Sequence, residues 1–90
     1  MAQRHKSAVK RHRQSEKRAD RNRQIRTRVR HAVRELREVI AKKETSSAET
    51  LLPTVVRVID KAATKGVLHR NSASRRISRL SGQVAALKSA

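Results

Sequence analysis

From Ser7 to Lys43 the chain carries neither glycine nor proline, and Arg, Lys, Gln, Glu, Ala and Leu dominate. All of these are good helix formers, so one helical register is predicted to run the whole distance, with Ser7 as a cap at its start. Ile25, Val29, Ala32, Leu36 and Val39 recur at alternating spacings of four and three, with Val33 and Ile40 beside them. That spacing puts them on one face of a helix, a stripe that must be buried against other elements. Continued backwards, the same register meets Asn22, Arg18, Ser15 and Arg11. The face that enters a core after Ile25 is therefore polar and basic before it. A helix of this kind has a packed second half and a projecting first half.

Two further helices complete the pattern. Glu44 to Ser47 breaks the first, and Ser46 with Glu49 three residues on fits a capping box, which predicts a second helix from near Ser47. Leu51, Leu52, Val55, Val56, Val58, Ile59, Ala62 and Ala63 form a face broad enough to touch two neighbours, and Pro53 inside it predicts a bend. Lys65-Gly66 marks the helix end, with Gly66 in the left-handed region and Val67 folding back. After Val67–Arg70, Asn71 is the predicted cap of a third helix, whose seam is Ala73, Ile77, Leu80, Val84 and Leu87. Gly82 lies within that helix and suggests a close helix approach. No stretch alternates as a half-buried strand would, and no hairpin dipeptide occurs. The expected fold is all-α: an antiparallel up-down-up bundle of three helices over residues 25–88, continuous with a projecting basic extension over residues 1–24, in a single domain. Eighteen large aliphatic residues between Ile25 and Leu87 supply the core, which is small enough to gain from a partner.

Charge then decides what the projecting half is for. Twelve of the 24 Lys and Arg residues fall within the first thirty positions, against Glu16 and Asp20 alone, and the formal net charge is +17. Such a segment has no face of its own to bury, so its partner lies outside the chain and is polyanionic: RNA, DNA or an anionic membrane. A membrane helix would set bulky apolar or aromatic residues opposite the charges, and the basic segment has none. No apolar run approaches the roughly 18 residues that span a bilayer, and no signal-peptide core follows Met1. A transit peptide would be amphipathic, and residues 1–24 show no apolar face. With no Phe, Trp or Tyr, the stacking platforms of sheet-type single-strand readers are missing as well.

An enzyme is not indicated. The four histidines, His5, His12, His31 and His69, fall far apart without metal-ligand spacing, and no cysteine offers a thiolate. Most of the seven acids alternate with Arg or Lys, as on solvated helix faces. No catalytic residue, metal site or cofactor is expected.

Two basic clusters are the candidate nucleic-acid footprint. Arg23, Arg26, Arg30, Arg34 and Arg37 fall opposite the apolar stripe of the first helix, downstream of Arg13, Arg18 and Arg21 in the projecting half. The second cluster surrounds the start of the third helix: Lys65, His69, Arg70, Asn71, Ser72, Arg75, Arg76 and Arg79. Asn71 and Ser72 serve equally well as plain caps, whereas Arg75, Arg76 and Arg79 share a face away from the seam. Helix N-termini also offer unpaired N–H groups to phosphate. Two basic surfaces suggest a protein that bridges two nucleic-acid segments. A leucine zipper would need a longer heptad run than this stripe, which ends near Ile40. A histone-like DNA-compacting protein remains the alternative to an RNA binder.

Two stretches carry a resemblance: Lys6–Arg23, KSAVKRHRQSEKRADRNR, and Ile59–Leu80, IDKAATKGVLHRNSASRRISRL. With them the chain resembles the bacterial small-subunit ribosomal protein S-twenty family over nearly its whole length. The resemblance implies a three-helix bundle with an extended first helix that binds 16S ribosomal RNA directly during small-subunit assembly. It implies RNA contacts at Lys6, Ser7, Lys10, Arg11, Gln14, Lys17 and Asn22 in the first motif. In the second, it implies them at Lys65, His69, Arg70, Asn71, Ala73 and Arg75. Other components of the cytoplasmic small subunit are implied neighbours, with no membrane partner and no homo-oligomer. Residues 7–22 are expected to fray in the free protein and become helical on RNA, because ordering them alone has little to offset its entropy.

Overall fold

The computed structural model describes the backbone of residues 2–90 and the side chains of residues 8–90. Three helices make up the fold: α1 (Ala2–Ala41), α2 (Thr45–Thr64) and α3 (Arg70–Ser89), with no strand among the described residues. The 40 residues of α1 span about 60 Å at 1.5 Å per residue, close to the 69 Å long dimension of the molecule. Helix α1 already begins at Ala2, so Ser7 lies inside it rather than at its cap. A serine favours a helix start but does not impose one, and nothing between Ala2 and Lys6 breaks a helix.

Both connections are tight turns of one type. Lys43 takes a positive φ of 59°, and the Glu44 and Lys43 N–H groups bond the Val39 and Ile40 carbonyls at 3.2 and 3.0 Å. Gly66, at φ 76°, repeats the motif: the Val67 and Gly66 N–H groups bond the Ala62 and Ala63 carbonyls at 2.9 and 3.0 Å. Each turn satisfies the last carbonyls of its helix and reverses the chain. Val67 folds back onto the core as the sequence predicts.

The predicted caps are not the ones used. Helix α2 starts at Thr45, two residues before the expected Ser47, and Glu44 at its head makes no side-chain cap bond. The left-handed turn at Lys43 delivers the chain straight into helix. Glu49, the expected return partner of Ser46, instead meets Lys88 of α3 at 3.3 Å. At α3 the cap is His69, whose Nδ1 accepts the Asn71 N–H at 3.1 Å, so Asn71 lies in the first turn. Through Pro53 the second helix runs unbroken, with the proline on the exposed side, where water can reach the carbonyl it leaves unbonded. Gly82 is exposed and a Cβ there would meet open space, so it marks no close helix approach; the seam residues face the other way.

The core contains Ile25, Val29 and Leu36 from α1, Ala48, Val55, Ile59 and Ala62 from α2, and Ala73, Leu80 and Val84 from α3. Each buried Val, Leu or Ile contributes about 2 kcal/mol. Helix α2 is the middle helix: it packs on both others, while α1 and α3 touch only sparingly. The bundle is thus closed along α1–α2 and α2–α3 and open between α1 and α3.

Candidate nucleic-acid interface

Every described residue from Ala8 to Arg21 is exposed. Lys10, Arg11, Arg13, Gln14, Lys17, Arg18 and Arg21 therefore project on all sides of a rod that touches no other element. Its two acids are both engaged: Glu16 pairs with His12 at 3.0 Å and Asp20 with Arg23 at 3.3 Å. Such exposed pairs are weak and screened by salt, so they offset little of the repulsion among cations spaced four apart, such as Arg13, Lys17 and Arg21. The side chains of Lys6 and Ser7 lie outside the described residues. At the root of the rod Asn22 is half-buried, with its Oδ1 shielded from solvent and no hydrogen-bond partner. Asn22 is where the polar face passes into the core stripe at Ile25.

The second cluster is set at the same level. The 20 residues of α2 run back along α1 from Ala41, which brings the α2–α3 turn abreast of Asn22. Lys65 ends α2, and His69, Arg70 and Asn71 open α3, all exposed, with Ser72 half-buried behind them. Because the His69 Nδ1 accepts from the helix, the neutral ring of this exposed residue carries its proton on Nε2, which is left as a donor. Buried Ala73 packs in the core, so it supports the turn instead of contacting a ligand.

Farther down, the open side of the bundle forms a groove of about 690 Å³. Arg30, Arg34 and Arg37 of α1 wall one side and Arg76 and Arg79 of α3 the other, with half-buried Val33 and exposed Ala41 as accessible apolar lining and Leu80 beneath them in the core. Glu38 is the one acid among the lining residues, and it pairs with Arg34 at 3.4 Å. Arg34 and Arg37 belong to the footprint expected from sequence, and the fold adds that α3 sets Arg76 and Arg79 opposite them. Arg75 does not line the groove, so the expected trio of Arg75, Arg76 and Arg79 is divided. Arg23 and Arg26, both exposed, lie between the rod and the groove. Rod, turn and groove each present exposed cations.

Among the described residues no group of three His, Cys, Asp or Glu could hold a metal ion, and no helix is long and apolar enough to cross a membrane. The chemistry such a surface offers is charge neutralisation and guanidinium hydrogen bonding to phosphate.

Comparison with known proteins places the chain in a family. A family described as Ribosomal protein S20 matches residues 3–85. A small ribosomal subunit protein bS20 of Oleidesulfovibrio alaskensis is 48% identical over 80 residues, covering 89% of this chain and 92% of the relative. The bS20 protein of Anaeromyxobacter dehalogenans is 55% identical over 74 residues, 82% of this chain and 80% of its own. That of Solidesulfovibrio magneticus is 48% identical over 86 residues, 96% and 97% of the two chains.

Proposed function

The chain belongs to the ribosomal protein S20 family, and from that premise we propose that it binds 16S ribosomal RNA directly, neutralising phosphates and bridging RNA helices as the small subunit assembles. It is a structural component of that cytoplasmic particle and not an enzyme. The observation that carries the RNA-binding proposal is the exposed, cation-rich rod from Lys10 to Arg21, which buries no face among the described residues. A rod that buries nothing of its own is stabilised only by what it binds.

The contacts divide by position. Lys10, Arg11, Arg13, Gln14, Lys17, Arg18, Arg21, Arg23 and Arg26, with Lys6 and Ser7 ahead of them, contact one RNA segment. Lys65, His69, Arg70, Asn71, Ser72 and Arg75 hold a second at the α2–α3 turn, and Arg30, Arg76 and Arg79 extend the surface down the bundle. Asn22 lies at the junction. Phosphate and shape dominate over base reading, because the deep, narrow major groove of duplex RNA hides its base edges. Residues 1–24 act as the extension and 25–88 as the bundle of one domain. A single copy suffices, since Val9 is the one large hydrophobic residue exposed among the described residues.

Competition between a 16S RNA fragment and duplex DNA of equal length, at one fixed salt concentration, tests the proposal. Preference for the RNA is expected. Equal affinity for both would mean a general polyanion binder of the histone-like kind.

A further inference from the structure

The arginine groove between α1 and α3 differs in kind from the rod. We infer that it is a separate RNA site that takes one unpaired strand, and that the strand ties α1 to α3 where the protein itself does not. The inference rests on the RNA-binding proposal above and adds to it the form of RNA and the place.

Three observations carry it. First, α1 and α3 touch only sparingly, so the open side of the bundle lacks the packing found on the other two. Second, Arg30 and Arg37 face Arg76 and Arg79 across the gap, while Glu38, the one lining acid, is taken by Arg34 at 3.4 Å. Guanidinium groups that repel across a gap become attractive through a phosphate between them, since each fork can donate to a different oxygen. Third, half-buried Val33 and exposed Ala41 give the groove an accessible apolar lining. A phosphate gains nothing from an apolar lining, but an unstacked base does, and guanidinium planes can cover its faces. Only an unpaired base can be covered on its faces in this way, so a single strand suits the groove and a duplex does not.

The test compares the full chain with Arg76→Gln/Arg79→Gln and with a control of equal charge loss, Arg57→Gln/Lys61→Gln, on the exposed surface of α2. All four positions are exposed, and far-UV circular dichroism checks that both variants keep the fold. Affinity for a single-stranded oligoribonucleotide and for an RNA duplex is measured across salt concentrations, with thermal unfolding in the presence of each. The groove variant is expected to lose single-strand affinity about tenfold, with the slope of log affinity against log salt shallower by about 1.4 for two lost contacts. It should also lose the rise in melting temperature that the single strand produces, while its duplex affinity follows the control. Equal losses in groove variant and control would overturn the site. Tripolyphosphate raising the melting temperature as much as the oligonucleotide, at equal phosphate, would overturn the single-strand assignment. A wild-type chain that binds neither RNA would instead remove the RNA-binding proposal itself.

Discussion

His69 has two roles at the head of α3, and they can be separated by substitution. Its Nδ1 caps the helix by accepting the Asn71 N–H, while Nε2–H is the donor proposed for phosphate. His69→Ala is expected to destabilise the fold by about 1 kcal/mol, the usual loss for a cap, whereas Asn71→Ala should stay within about 0.5 kcal/mol. Urea unfolding of both variants decides it; the reverse order would restore Asn71 as the cap. The sequence favoured Asn71 because asparagine is the commoner cap. Histidine is a rare one, and only the turn at Gly66 sets it one position outside the helix. The two glycines make a second contrast. Neither would bring a Cβ within 4 Å of another atom, but Gly66 has φ 76° and Gly82 is helical. Gly66→Ala is therefore expected to cost about 1 kcal/mol in backbone strain, and Gly82→Ala to stabilise by about 0.5–1 kcal/mol through reduced chain entropy. Thermal melts that move both variants the same way would contradict this account of the two positions.

At the scale of elements, α1 explains how much could be foreseen. Its stripe from Ile25 to Val39 was legible because burial imposes a period, and Ile25, Val29 and Leu36 are the residues found buried. Helix starts were less legible, since the left-handed turn at Lys43 displaces the α2 start from Ser47 to Thr45 without any glycine to announce it. The rod is helical from Ala2 in the structure, and it extends a helix that the core has already nucleated. Only propagation remains to be stabilised there, against repulsion among cations such as Arg13, Lys17 and Arg21. The expected outcome is a rod that frays at low salt and gains helix with RNA. The difference in far-UV circular dichroism between the full chain and residues 25–90 measures it. A full helical difference signal at low salt without RNA would mean a rigid probe, with no folding on binding.

For the whole molecule, the arrangement of charge matters more than its amount. Net charge of +17 was plain in the sequence and pointed to a polyanion. The groove was not, because it exists only once α2 holds α1 and α3 side by side yet apart, bringing Arg30, Arg34 and Arg37 opposite Arg76 and Arg79. Cations of the rod, of the α2–α3 turn and of that groove are exposed along the molecule. Such a surface should bind RNA by releasing counterions. The most direct measurement is the affinity of the full chain for a 16S RNA fragment as a function of salt. With on the order of ten phosphate contacts, log affinity should fall against log salt with a slope of about −7 to −9. A slope near zero would contradict phosphate neutralisation as the basis of binding.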